Sequence, residues 1–190
     1  MLSLACAGGT ATTGNTTTAA NKPPANSATV TNTATAKTDE IPAAVRAALP
    51  AAQTFTALHK DLTDSQIASI EKDTGGKVRE KDHHSFPGFS TVNGARTQIG
   101  AVTLVKAAGK EIVVVYENKE GSPSIKEIKV DGVPAGFLNQ FAGKGHDDDL
   151  LFGADIKANG AKEDEAKAMT DAIKIDVLSM QALYGKAHVH

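Results

Sequence analysis

The sequence has few of the residues on which several classes of function depend. It contains one cysteine and no tryptophan, and aromatic residues make up 4% of its 190 positions. A single cysteine excludes an intramolecular disulfide framework and any metal or iron–sulfur centre built from several thiolates. Scarce aromatic side chains argue against the stacking surfaces that bind single-stranded nucleic acid. The formal net charge is −2, so no strong positive field attracts nucleic acid or an anionic membrane.

Long apolar runs and familiar catalytic motifs are also missing from the sequence. No stretch of about 18 apolar residues is present, so we predict no membrane-spanning helix. The chain has no Gly-x-Ser-x-Gly elbow, no phosphate loop ending in Gly-Lys-Ser/Thr, and no His-Glu-x-x-His motif. Cys6 lies outside the region predicted to fold, which argues against a cysteine nucleophile. We therefore assign no catalytic residue and expect a module rather than a stand-alone enzyme.

Residues 7–38 differ sharply in composition from the rest of the chain. They contain 11 Thr and 8 Ala, and Val30 is their only large aliphatic residue. Such a segment buries too little apolar surface to offset an ordering entropy of about 1–2 kcal/mol per residue. We expect residues 7–38 to be a disordered linker, followed by one folded domain over residues 39–190.

The residues before this linker resemble the end of a bacterial lipoprotein signal peptide. Residues 1–5 are mostly apolar, and a small residue directly precedes Cys6. In lipoproteins the cysteine at this place becomes lipid-modified. Residues 1–6 lack a basic n-region and an apolar h-region of about 7–15 residues, so we expect the true start to lie upstream. The resemblance implies lipidation of Cys6 and a tethered domain outside the cytoplasm. The alternative is a chance cysteine in an irregular N-terminus.

Apolar spacing in the remaining residues predicts several helices. Residues 41–49 have helical periodicity. Thr63 and Gln66 have the spacing of a capping box, so a second helix is predicted to begin there and to stop at Gly75. A short helical segment is predicted over residues 134–142. The longest helix is predicted for residues 163–184, where apolar residues share one face.

Three β-rich runs lie between these helices. Residues 99–106 and 111–117 are separated by Ala-Ala-Gly-Lys at 107–110, a hairpin signature. Three consecutive valines at 113–115 indicate a central strand that is covered on both faces. Residues 124–130 form the third run. We therefore predict an α+β fold, with helices packed on a small antiparallel sheet.

The order of motifs after the sheet resembles the FMN-binding domain family of bacterial electron-transfer proteins. Phe-Leu-Asn-Gln-Phe occupies residues 137–141, Gly-Lys residues 143–144, and Gly-Ala-Asp-Ile residues 153–156, before a small-residue loop and a long helix. The similarity covers about residues 44–185. It implies an extracytoplasmic domain that carries FMN and exchanges electrons with redox partner proteins, either periplasmic or anchored to the membrane only by a lipid.

In this family a Ser-Gly-Ala-Thr loop meets the flavin phosphate, and its threonine can be esterified to that phosphate. The corresponding residues here are Asn159, Gly160, Ala161 and Lys162. Small residues at a helix N-terminus let backbone amides approach a phosphate. Lys162 replaces the threonine, and an amine cannot form the phosphoester. The resemblance therefore implies noncovalent FMN at these four residues, and the alternative is a loop that only caps the helix.

The histidines offer potential metal ligands. His83 and His84 are adjacent, and neighbouring residues of an extended chain point in opposite directions, so they cannot easily share one ion. His146 adjoins three aspartates at 147–149, which lack the calcium-loop pattern. We interpret His83 and His84 as part of a solvated polar loop, the aspartates as a turn, and assign no metal site.

Two functions from different classes remain open. The first is a flavin-carrying electron-transfer domain, in which the cofactor supplies the redox chemistry. The second is a binding or structural lipoprotein that keeps the fold without the flavin.

Overall fold

The computed structural model describes residues 40–186, which form an α+β fold, as predicted. The predicted linker at residues 7–38 and Cys6 lie outside the described residues. The elements in chain order are α1 (Ala43–Ala48), β1 (Thr54–Phe55), β2 (Leu58–Asp61), α2 (Asp64–Thr74), β3 (Asp82–Val92), β4 (Ala95–Ala107), β5 (Lys110–Lys119), β6 (Ser122–Lys129), α3 (Ala135–Leu138), a 3₁₀ turn (Asn139–Phe141) and α4 (Glu163–Tyr184).

The six strands form one antiparallel sheet in the order β1-β3-β4-β5-β6, with β2 also paired to β3. Hairpins connect the strands from β3 to β6 in sequence. The predicted hairpin turn is confirmed: Ala108 and Gly109 have φ of 51° and 70°, which turns the chain tightly between β4 and β5. Asn93 and Gly94 form the turn between β3 and β4 in the same left-handed region.

Both faces of β5, an interior strand between β4 and β6, are covered, as its consecutive valines predict. Val113 and Val115 pack with Val45 and Leu49 from the α1 segment. The alternate residues of the strand, such as Val114, pack against α4. The sheet therefore separates two hydrophobic clusters, a smaller one under α1 and a larger one under α3 and α4.

The second helix begins and ends as its sequence predicts. Gln66 donates its amide hydrogen to Thr63 Oγ1 at 3.3 Å, and the Thr63 amide donates to Gln66 Oε1 at 2.9 Å, which completes the capping box. Gly75 ends α2 with φ of 67°. The Gln66 side chain also donates to the carbonyl of Ala182, 2.8 Å away, so the start of α2 is tied to the end of α4.

The position of the two adjacent histidines differs from the polar loop that the sequence predicts. His83 and His84 lie in strand β3, where each has a carboxylate partner, and not in a solvated loop. Their side chains do point in opposite directions, as expected for an extended chain. The predicted turn at residues 147–149 is confirmed in part: the Asp148 amide donates to the Gly145 carbonyl at 3.2 Å, so the turn spans residues 145–148.

Candidate functional site

The loop that the family resemblance singles out lies at the start of α4. Asn159 and Gly160 have φ of 42° and 90°, and Lys162 directly precedes the helix. A Cβ atom at Gly160 would lie 3.6 Å from Pro134, an ordinary contact, so backbone conformation rather than space favours glycine there. The Ala161 amide donates to the Ala158 carbonyl at 2.9 Å. A phosphate on that amide would have to displace this turn hydrogen bond.

The charges around this loop are already paired in part. Lys162 Nζ lies 2.9 Å from Glu165 Oε1. This hydrogen bond raises the pKa of Lys162 and lowers the pKa of Glu165, to which the charge of Lys110 also contributes. Glu163 and Asp164 complete an acidic first turn. Carboxylates in the first turn interact favourably with the helix dipole, but they repel an anion placed at the same position.

A cavity of about 540 Å³ lies near the opposite end of α4. Along the helix axis, Met180 at the cavity is about 27 Å from Lys162, at about 1.5 Å per residue. The apolar lining comes from α4 and from strands on both sides of it: Leu58, Pro87, Ile99, Gly100, Ala101, Pro123 and Met180. The polar lining consists of Ser85, Gln98, Tyr116, Glu117, Asn118 and Tyr184.

Two irregularities of the sheet lie beside this cavity. The pairing skips Ile99 of β4 opposite Gly88 and Phe89, and it skips Lys126 of β6 opposite Val115 and Tyr116. Bulges bend a strand and redirect the side chains next to them, and they are common beside binding sites. Tyr116, which lies opposite the second irregularity, lines the cavity and is otherwise buried.

Two hydroxyl groups at the cavity wall, those of Ser85 and Tyr184, are hydrogen-bonded to each other. Ser85 Oγ donates to Tyr184 Oη at 2.8 Å. Burial raises the pKa of Tyr184, and this effect is stronger than the opposing effect of the Ser85 hydrogen bond. Lys60 Nζ lies 4.3 Å from the centre of the Tyr184 ring and holds it by a cation–π contact.

A buried carboxylate lies behind this wall. Asp176 on α4 accepts hydrogen bonds at Oδ2 from Thr103 (2.6 Å) and Tyr116 (2.7 Å), and its Oδ1 lies 2.9 Å from His83 Nε2. The pKa of Tyr116 is well above its usual value, first because the phenol is buried and then because Asp176 is negative. Since three groups already contact its two oxygens, this carboxylate joins β3, β4, β5 and α4 structurally.

A second polar cluster lies on the other face of the β2–β3 pair. His59 Nδ1 and His84 Nε2 approach the same oxygen, Asp82 Oδ2, at 3.0 and 2.8 Å. The hydrogen bond from His59 is the main reason why the pKa of Asp82 is lowered, so this carboxylate is ionised at neutral pH. His146 does not belong to this cluster, and its Nε2 lies 3.1 Å from Asp147 Oδ1. The His59, Asp82 and His84 side chains have the donor atoms of a metal site.

The sequence draws attention to His83 and His84 as potential ligands, but it does not predict their contacts with Asp176 and with Asp82 and His59. Asp176 was an unremarkable residue of a predicted helix, and it lies 93 residues from His83 in sequence. The one available signal was a carboxylate among the apolar positions that line the inner face of α4, close to Ile173 and Val177.

Comparison with protein-family models, curated proteins and solved structures finds no match. Within residues 40–186, none of the helices has the length and apolarity needed to cross a membrane.

Proposed function

We propose that this chain is a ligand-binding domain and that its ligand occupies the cavity between α4 and the sheet. The observation that carries the proposal is the cavity itself. About 540 Å³ is within the usual size of small-molecule sites, and its wall combines apolar surface with a few polar groups. Behind the wall, the contacts of Asp176 with His83, Thr103 and Tyr116 connect the strands that form it. This corresponds to the flavin-free binding module that the sequence left open.

The charge of the lining indicates the class of ligand. Among the described residues that line the cavity, Glu117 is the one with a formal charge, and neither lysine nor arginine is present. Gln98 and Asn118 offer amide groups for hydrogen bonds. A partly apolar molecule that is neutral or cationic therefore fits better than a phosphate or a carboxylate.

The α4 loop supports a second candidate, noncovalent FMN. Gly160 gives the loop a left-handed turn at the positive end of a 22-residue helix, with Lys162 exposed beside it. The protein would then hold the flavin for electron transfer with redox partner proteins. Lipidation of Cys6 would tether it outside the cytoplasm. A single FMN does not span the distance of about 27 Å to the cavity, so the two candidates are independent.

Thermal-shift screening of the purified chain tests the first proposal. Neutral and cationic compounds should raise the melting temperature, whereas anionic compounds of similar size should not. Leu58→Trp places a large side chain at the partly exposed cavity wall and should abolish these shifts. Lys162→Glu, at the other end of α4, is the matched control and should preserve them. Hits that are insensitive to Leu58→Trp would refute the cavity as the site.

Titration with FMN separates the second candidate from the first. Binding at the loop predicts that Lys162→Glu weakens FMN affinity by about tenfold, while Leu58→Trp leaves it unchanged. The reverse pattern would place flavin in the cavity. If the wild-type chain does not bind FMN, the loop is only a helix cap. Flavin fluorescence retained after denaturation would indicate a covalent bond, against expectation.

A further inference from the structure

We propose that His59, Asp82 and His84 bind a divalent first-row transition-metal ion of the Zn²⁺ type. The site lies on the face of the β2–β3 pair that is opposite to the cavity, and it does not depend on the ligand of that cavity. The inference rests on strand register, on the convergence of three ligand atoms, and on a carboxylate oxygen that has no hydrogen-bond partner.

Strand register brings the three residues to one face. β2 and β3 are antiparallel, and His59 lies directly opposite His84. Asp82 precedes His84 by two residues, so both project from the same side of β3. The other side carries Ser85 and His83, which contact α4 residues. The histidine pair is therefore presented outward by a strand pair that is anchored from behind.

The ligand atoms already converge on a small volume. His59 Nδ1, His84 Nε2 and a carboxylate oxygen of Asp82 all lie within 4.8 Å of one another. Zinc bonds of about 2.0–2.2 Å in a tetrahedron place ligand atoms about 3.3–3.6 Å apart. The 3.0 and 2.8 Å contacts to Asp82 Oδ2 would need to open by about half an ångström. Metal binding would therefore require a small rotation of the two half-exposed imidazoles.

An unpartnered oxygen is the second, independent observation. Asp82 Oδ1 is buried and accepts no hydrogen bond among the described residues. A buried carboxylate oxygen without a partner is costly. A bound cation would interact with the carboxylate directly, and this interaction would offset part of that cost. The Asp82 carboxylate would therefore be more stable beside a metal ion than beside two imidazole N–H groups alone.

The donor set and exposure indicate the kind of ion. Two imidazole nitrogens with one carboxylate suit Zn²⁺, Cu²⁺ or Ni²⁺, whereas Ca²⁺ and Mg²⁺ prefer oxygen ligands. The side chains of His59, His84 and Asp82 are 37%, 49% and 44% exposed. Water can therefore complete the coordination shell. Asp61 lies opposite Asp82 in the strand pair and offers a further carboxylate close by.

The test is titration of the full chain with Zn²⁺ against a competing chromogenic chelator. We expect one strong site. Mutation of a residue that only hydrogen-bonds to a metal ligand lowers metal affinity by about 10–100-fold. Removal of a ligand itself, by His59→Gln, His84→Gln or Asp82→Asn, should therefore lower the affinity for Zn²⁺ by at least about tenfold. His146→Gln is the matched control and should bind as the wild type does. A double His188→Gln, His190→Gln variant controls for histidines outside the described residues.

A spectroscopic readout tests the ligation directly. Co²⁺ in place of Zn²⁺ should give visible bands typical of low-coordinate nitrogen and oxygen ligation, and each ligand variant should lose them. Melting of all variants in the presence of a chelator identifies any that do not fold. Absence of one-to-one binding, or loss of binding only in the His188→Gln, His190→Gln variant, would overturn the proposal.

Discussion

At the scale of single residues, Asp176 is a buried polar group that connects several elements of the fold. Its residue surface is 7% exposed, and its carboxylate contacts three side chains from three different strands. Such a group stabilises a fold only while its partners remain, because burial of an unpaired polar group is costly. Removal of the carboxylate would leave Thr103, Tyr116 and His83 without their acceptor.

We therefore predict that Asp176→Ala lowers the free energy of unfolding by about 3–5 kcal/mol. Asp176→Asn keeps one acceptor oxygen and should cost less. The matched control is Asp171→Asn on the exposed side of the same helix, where the pair with Lys167 is worth at most about 0.5 kcal/mol. Urea denaturation followed by circular dichroism measures all three. A cost for Asp176→Ala below about 1 kcal/mol would show that the network does not hold the elements together.

Tyr116 gives a prediction about pH. An unfolded chain ionises its tyrosines near pH 10, whereas burial and Asp176 raise the folded-state pKa of Tyr116 well above that value. The neutral phenol is therefore favoured by folding. Its contribution to stability is fully present below about pH 10 and is lost as the pH rises from there toward the folded-state pKa.

Ultraviolet titration of tyrosinate absorbance measures this shift. The chain has two tyrosines, so Tyr184→Phe leaves Tyr116 as the only one. We expect the native variant to ionise at clearly higher pH than the same variant in concentrated urea. Coincident titration curves would contradict the buried hydrogen bond to Asp176.

At the scale of elements, α2 depends on its first turn. The capping box of Thr63 and Gln66 satisfies two backbone amides, and Gln66 also reaches Ala182 on α4. Thr63→Ala should lower the free energy of unfolding by about 1 kcal/mol. Lys72→Ala, on an exposed position of the last turn, should be nearly neutral. Equal effects of the two substitutions, measured by urea denaturation, would argue that the cap is not formed in solution.

Elements with strong local signals could be predicted from the sequence, and those that depend on pairing could not. Residues 163–184 combine an acidic start with a long apolar stripe, and α4 has these bounds in the structure. β4 begins at Ala95, four residues before the predicted strand, because its exposed start is polar and lacks a β-rich pattern. β1 and β2 were missed because they have two and four residues. Without β2, the contact between His59 and His84 could not be foreseen.

At the scale of the whole molecule, the two hydrophobic clusters draw on residues from Ile41 to Tyr184. The described residues therefore cover both faces of the sheet. We predict that a chain beginning at residue 39 unfolds with the same free energy as the full chain, within about 0.5 kcal/mol. Limited proteolysis of the full chain should likewise release residues 7–38 and leave a folded product. A protease-resistant core that begins before residue 20 would contradict this expectation.

The position of α4 has a consequence for synthesis of the protein. Its apolar residues cover the sheet face that contains Ile112, Val114 and Ile125, yet the ribosome produces α4 after every strand. β6 ends at Lys129 and α4 at Tyr184, so at about 5–20 residues per second that face stays without its cover for about 3–11 s. Before α4 emerges, the growing chain can bury the smaller cluster under α1 and can cover only part of the larger one, with Phe137 and Phe141. We infer that nascent chains remain incompletely folded until then, and that chaperones meet an exposed apolar sheet rather than a finished domain.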